Sequence, residues 1–486
     1  MVGVVAVRGS RPLELGSGEL DARRRIAVLA ICCSSLFIVG LDNTIVNVAL
    51  PSIERDLHTT VSGLQWTVDA YTLVLASLLL LAGSMGDRLG RRRTFRTGLL
   101  VFALGSLLCS AAPNLECLVA FRMVQAVGGS MLNPVAMSII TNTFTVARER
   151  AQAIGVWGAV LGTSMALGPV VGGELVTAIG WRSIFWINVP IAVAAYVGAG
   201  RIVPESRAEH ARRADPVGQA LVVVMLAATV YAIIEVRSAG PLSPRIVVAV
   251  LLALFALFAL AIYEPRRDEP LIDLRFFRSA PFSGATAIAV LSFGSLGGFL
   301  FLNTLYLQQG RGASALAAGI DTLPMAVMVA LAAPVSGRIV GTRGSRTPLV
   351  AGGAGMTAGC VALTRVTTGT SLAVLFGAYV LFGSGFGLAN APITHTAVSG
   401  MPREQAGVAA GISSMSRQVG QSLGVAVVGA LAVFPPHARA GAPASGAAGW
   451  WVLAGCGAAI VVLGVVTTTA WARRTAVAAA RLMPGG

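Results

Sequence analysis

The sequence predicts an all-α polytopic membrane protein, and three features carry that reading. Of its 486 residues, 55% are hydrophobic and only 12% are charged, about half the charged share of a soluble domain. Apolar runs of roughly 20 residues recur along the whole chain, each long enough to cross ~30 Å of hydrocarbon as a helix. The basic residues, all arginine, gather in the short gaps between those runs. Backbone groups in lipid need partners within their own segment, so the runs read as helices, and the alternation of a membrane barrel is not seen. A net charge of +15 would suit nucleic acid. Its place in the gaps fits a topology signal instead, and no nucleic-acid partner is expected.

Span 1 (26–50) follows Arg23–Arg25, and Arg55 marks the gap before span 2 (62–84). A charged knot from Asp87 to Arg93 separates span 2 from span 3 (94–112). Span 4 (116–140) contains Arg122; Arg148 and Arg150 mark the start of span 5 (150–173). Span 6 (181–202) is bracketed by Arg182 and Arg201. Spans 7 (216–236) and 8 (245–263) are parted at Arg237, and Arg266, Arg267, Arg275 and Arg278 lead to span 9 (281–308). Arg311 precedes span 10 (315–337), Arg338, Arg343 and Arg346 precede or open span 11 (347–366), and Arg365 stands before span 12 (370–394). Arg403 and Arg439 mark the gaps before span 13 (405–433) and span 14 (449–472).

With the N-terminus inside, 27 arginines fall on the inner side, 7 on the outer side, and Arg122 and Arg417 lie within spans. Cytoplasmic loops retain arginine, so a multi-pass cytoplasmic-membrane protein with both termini cytoplasmic is expected. Trp66, Trp181, Trp450 and Trp451 then lie near the outer interface, as an aromatic belt would. The run after Arg25 is too long for a signal-peptide core and ends in NVALP, so it is expected to remain as span 1. Six cysteines form no C-x-x-C pair, and four scattered histidines (His58, His210, His395, His437) form no metal spacing, so no metal or cofactor is expected. Nor does a Walker sequence appear.

The stretch GSMGDRLGRRRTF (83–95) carries Asp87 and four arginines, with Arg96 just beyond. It has an echo in GRIVGTRGSRTPL (337–349), where Gly83, Gly90 and Arg92 align with Gly337, Gly344 and Arg346 and Asp87 with Gly341. Both copies follow a second span, which suggests two related halves, as transporters often have. The expected organisation is a tail (1–25), an N-terminal six-helix half (26–202), a central segment with two extra spans (203–280), a C-terminal six-helix half (281–472) and a second tail (473–486).

These residues resemble the major facilitator superfamily. GSMGDRLGRRR is similar to its loop signature between helices 2 and 3, and LDNTIVNVALP (41–51) to the helix 1 motif of its fourteen-helix drug:proton antiporters. RMVQAVGG (122–129), LGPVVGG (167–173) and WRSIFWINVPI (181–191) resemble motifs of helix 4, of helix 5 in exporters, and of the start of helix 6. The resemblance implies a fourteen-helix major facilitator fold. It also implies proton coupling through Asp42 and Arg122, and a gate at Gly83, Asp87, Arg88, Gly90, Arg91 and Arg92. It further implies a functional bend in helix 5 at Gly162, Gly168, Pro169, Gly172 and Gly173.

Charge inside a bilayer costs about 2.5–3.5 kcal/mol on insertion scales and marks function by default. Asp42, Asp69, Arg122, Asp321 and Arg417 are such groups. At 1.5 Å per residue, Asp42 is about 13 Å and Arg122 about 9 Å from the outer end of its span, so the two meet if spans 1 and 4 pack. Asp69 and Asp321 are further proton-binding candidates. Polar stripes at 100° spacing nominate cavity residues: Asn43 and Asn47, Gln65, Gln125 and Asn133, Arg417 and Gln421, with Phe299, Asn303 and Tyr306 on span 9. The alternative for any stripe is that it binds helices to each other. Gly158 and Gly162 form a G-x-x-x-G suited to close helix approach. Pro169 removes the hydrogen bond to Met165 and is expected to bend span 5. The expected function is proton-coupled export of a lipophilic drug or antibiotic by a monomer through alternating access. Alternatives are export of a native metabolite, an uptake symporter, or a sensor that moves nothing. No nucleophile–base constellation suggests an enzyme.

Overall fold

A computed structural model describes residues 21–208, 215–267, 270–399, 406–432 and 447–481; His210 and His437 lie outside them. The helices are α1 (Ala22–Leu57), α2 (Val61–Leu89), α3 (Arg91–Ser110), α4 (Leu115–Thr143), α5 (Ala147–Ala178), α6 (Ser183–Trp186) and α7 (Asn188–Ile202). They continue with α8 (Pro216–Ala239), α9 (Pro244–Tyr263), α10 (Ala280–Leu305), α11 (Ala315–Asp321), α12 (Leu323–Arg343), α13 (Arg346–Leu363), α14 (Leu372–Val398), α15 (Ala406–Leu431), α16 (Ala447–Val466) and α17 (Ala470–Ala480). Each expected span contains a helix. Eleven helical stretches among the described residues are long and apolar enough to cross a membrane; α3, α13 and α15 fall short by that measure.

Four spans expected as single α-helices depart from that form. Span 6 is split between α6 and α7 just before Pro190, which offers no N–H to the turn behind it. Span 10 breaks between α11 and α12 at Thr322, where Pro324 acts in the same way. Span 9 ends in a π-turn over Tyr306–Gly310, closed by Arg311 N–H donating to the Tyr306 carbonyl at 3.0 Å. Span 14 stops at Val466 rather than 472. The chain turns there and restarts as α17, whose first turn is capped by the Thr469 hydroxyl accepting from Ala472 N–H at 3.2 Å.

The first bundle packs α3 on α4, α1 on α5, α2 on α4, and both α3 and α1 on α7. Numbering the long helices of the second bundle from α10, the same pairings recur: α13 on α14, α10 on α15, α12 on α14, and both α13 and α10 on α16. One buried core draws on residues from Val28 to Val203, another on residues from Ile288 to Ile460. The bundles meet at two seams, α2 against α15 and α5 against α11 and α12. Helix α8 lies over the α2–α15 seam and carries α9 on its outside. Val248, Leu251, Phe255 and Phe258 of α9 are exposed, as suits a lipid-facing helix. Below, the tail face is the one from which α1 starts, and the far face is the one holding the α1–α2 turn.

Candidate functional site

Asp42 (α1) and Arg122 (α4) meet inside the first bundle, where both are fully buried. Arg122 Nη1 donates to Asp42 Oδ2 at 2.5 Å. The other carboxylate oxygen, Oδ1, accepts from Gln125 Nε2 at 2.9 Å and from Asn188 Nδ2 at 3.1 Å. Arg122 also donates to Gln125 Oε1 at 2.7 Å and, through Nε, to the Thr67 carbonyl at 3.2 Å. Its guanidinium lies 4.2 Å from the centre of the Tyr71 ring. Ser106 Oγ accepts from Gln125 at 2.9 Å and from Asn188 at 3.0 Å. A buried ion pair is tolerable only when its remaining lone pairs and protons find partners. Here the pair and its partners form one network drawn from five helices, α1, α2, α3, α4 and α7.

Gly105 makes this closure possible. A β-carbon on it would lie 2.5 Å from the Gln125 backbone, so only glycine lets α3 approach α4 closely enough for Ser106 to reach Gln125. The sequence stripes identified Asp42, Arg122 and Gln125. They missed Asn188, Ser106, Tyr71 and Thr67, although Asn188 lies in the INVP stretch at the start of α7.

Asp69 lies apart, on α2 at the seam with α15. It faces Ser422, and its Oδ2 is buried without a partner. The Thr72 hydroxyl reaches its Oδ1 at 3.5 Å. Asp321, at the end of α11, is half-buried near Arg311, but the arginine donates instead to the Thr370 carbonyl at 2.6 Å.

Seven of the ten cavity candidates are buried in protein contacts instead. Phe299 stacks on Phe382 at 4.3 Å and packs edge-on against Tyr379 and Trp450. Asn303 donates to Thr322 at 3.1 Å and accepts from the Tyr379 hydroxyl. Tyr306 donates to the Thr367 carbonyl at 2.8 Å. Gln65 spans the seam to the carbonyls of Val425 (3.2 Å) and Ala426 (2.8 Å). Gln421 packs on Gly297 of α10, Asn47 donates back to the Asn43 carbonyl at 3.1 Å, and Gln125 belongs to the ion-pair network. Asn43, Asn133 and Arg417 keep accessible surface. Arg417 donates to Thr394 Oγ1 at 2.5 Å.

Asp87 pairs with Arg91 at 2.8 Å, one turn along the chain; Gln405, where span 13 was expected to begin, lies outside the described residues. Arg91 N–H donates to the Ser206 carbonyl at 2.9 Å, and Arg92 N–H to Glu205 Oε1 at 3.1 Å. Gly90 has φ +109°, and a β-carbon there would lie 2.6 Å from Glu205, so glycine is required on both counts. Gly83 is in ordinary contact with Pro134, and Arg88 is exposed. Glu205, which organises this loop from beyond α7, was not anticipated.

The glycines of α5 divide into three sets. Gly158 and Gly162 have nothing within 4 Å of a built β-carbon, so the G-x-x-x-G expected to hold a neighbour faces open space. Gly168 and Gly172 lie against Thr44 and Ile45 of α1, inside the first bundle. Gly173 crosses to the second bundle, where a β-carbon would lie 2.6 Å from the Ala315 carbonyl. Gly319 of α11 returns the contact, 2.1 Å from the Pro169 carbonyl by the same construction. Gln308 donates to the Val48 carbonyl at 2.8 Å, and Gln309 to Glu54, on the same far face. Toward the tail face, Gly155, Gly158 and Gly162 of α5 and Gly337 and Gly341 of α12 have open space beside them.

Residues 32–425 match the Major Facilitator Superfamily. The chain is 35% identical over 427 residues to the multidrug resistance protein Stp of Mycobacterium tuberculosis, covering 87% of this chain and 79% of that one. It is 36% identical over 397 residues to the tetracenomycin C resistance and export protein of Streptomyces glaucescens, covering 82% and 74%. A crystal structure of a D-xylose-proton symporter shares the fold with a TM-score of 0.66 at 14% identity, covering 91% of this chain and 97% of that one. The chain belongs to the major facilitator superfamily, a family of membrane transporters rather than enzymes.

Proposed function

We propose that the protein exports lipophilic drugs or antibiotics across the cytoplasmic membrane in exchange for protons, as a fourteen-helix antiporter working as a monomer. Two six-helix halves (26–202 and 281–472) rock about the two seams, with α8 and α9 inserted between them. Both chain ends lie in the cytoplasm, following the arginine distribution. The drug-resistance names of the relatives support the cargo class. The far-face clasp beside open space toward the tail face supports an inward-open state.

The buried Asp42–Arg122 pair carries the coupling reading. An ionised carboxylate is stable here only while its arginine and amide donors stay in place. Tilting of α1 against α4 would withdraw them, and the acid would then take a proton rather than remain charged. Asp69, buried at the moving seam without a cation, is a second carrier in this scheme: the neutral acid is the form such a site tolerates. Asp42→Asn keeps the shape and the hydrogen-bonding reach but holds no exchangeable charge. In everted vesicles energised by respiration, the variant should insert normally and lose drug accumulation. Wild-type accumulation by that variant would refute the assignment.

A further inference from the structure

Two arginines, Arg122 and Arg417, lie deep within the membrane-spanning helices, and of these two only Arg122 is paired with a carboxylate. Arg417 lies near the middle of α15, eleven residues from the first residue of that helix and fourteen from the last. It has one hydrogen bond, to Thr394 of α14, and its guanidinium lies 5.2 Å from the centre of the Phe293 ring on α10. Its Nε is buried without a partner. Among the described residues no carboxylate is within ion-pair distance of it. The side chain nevertheless keeps accessible surface, and Thr394 beside it is exposed. A cation held deep among helices without a counter-charge is costly, and guanidinium cannot shed its charge to escape. Among the described residues, Arg417 is thus left in the second bundle without a counter-charge.

The surroundings narrow the ligand. Phe293 packs edge-on against Phe386 at 5.2 Å, so an aromatic wall stands next to the guanidinium fork. Planar donors beside a planar apolar surface suit a flat, delocalised acid. We propose that Arg417 is the recognition point for substrates that are planar aromatic acids, ionised as carboxylate, enolate or phenolate, with the ring system on Phe293. This rests on the export reading and names its cargo class.

The test is equilibrium binding to the purified full-length protein in detergent at pH 8, read by fluorescence anisotropy. Fluorescein serves as the planar acid and rhodamine 6G as a planar cation of similar size. Wild type should bind fluorescein more tightly than rhodamine 6G. Arg417→Gln should weaken fluorescein at least about tenfold, the order expected for one buried charged contact, and weaken rhodamine 6G far less. Arg417→Lys, which keeps the charge but not the fork, should fall between wild type and Arg417→Gln. Equal fluorescein affinity in wild type and Arg417→Gln would overturn the proposal, as would a wild-type preference for rhodamine 6G. Binding needs no gradient, so a failure here leaves proton coupling standing, and a failure of the Asp42→Asn test leaves this site standing.

Discussion

Asp42 is held by three side-chain donors, and the one contributed by Asn188 is the easiest to remove without touching the ion pair. Its amide reaches both Asp42 Oδ1 at 3.1 Å and Ser106 at 3.0 Å. A hydrogen bond to a charged group contributes about 1.5–3 kcal/mol, and donors to a carboxylate favour its ionised form. Asn188→Ala should therefore loosen the hold on the Asp42 carboxylate. Proton-driven drug transport by the variant in proteoliposomes should fall about tenfold, the order of one charge-assisted hydrogen bond at ~1.4 kcal/mol per decade; unchanged transport would remove Asn188 from the network that serves Asp42. Charged residues such as Asp42 and Arg122 were legible in the sequence because lipid makes them costly. Asn188 and Ser106 were not, since a neutral polar side chain in a helix carries no comparable signal. The stripe of Phe299, Asn303 and Tyr306, expected to line a cavity, packs against protein. Periodicity identifies a shared face but not whether that face meets water or another helix, and here it meets α14, α16 and the loop beyond α13.

Helix α5 shows how local pattern and packing part company. Its G-x-x-x-G is the stronger sequence signal, yet it faces open space, while Gly173 and its partner Gly319 make the contact between bundles. A motif of small residues allows approach but does not say which neighbour approaches. Because Gly173 meets backbone atoms of Ala315 and Leu316, a larger side chain cannot be absorbed by a rotamer change. Gly173→Leu should prise the far-face clasp open and shift the population toward the opposite state. Spin labels at Thr177 and Ser314 should then show a longer mean distance than in wild type, measured in a background with the native cysteines replaced. Gly168→Leu, which strains α5 against α1 within one bundle, should change that distance less. An identical distance distribution in Gly173→Leu would show that this contact does not hold the clasp.

The pairing of helices repeats from one bundle to the other, and the two seams between them are related by the same exchange: second helix on fifth, fifth on second. Hydropathy alone revealed the segments, and the 83–95 and 337–349 echo hinted at the repeat. Neither could reveal that α8 breaks the symmetry by covering one seam only. Helix α8 bonds to α2 twice, Gln219 to the Ser77 carbonyl and Glu235 to Trp66 Nε1, the latter at 3.0 Å. It bonds to the end of α15 once, from Arg237 to the Ala432 carbonyl. If the far face opens, the far ends of α2 and α15 must separate, and α8 cannot stay with both. Two attachments against one imply that it travels with α2 and slides on α15. If transport is driven as proposed, one proton moving down ~100 mV and one pH unit would supply about 3.7 kcal/mol, more than the roughly 0.5–1.5 kcal/mol of the single bond to be broken. Joining Ser77→Cys to Gln219→Cys with a short thiol cross-linker should therefore leave export running. Joining Arg237→Cys to Ala432→Cys should stop it until the link is reduced. Equal inhibition by both links would mean that α8 belongs to neither half and that the covered seam, not the bare one, is where the motion is absorbed.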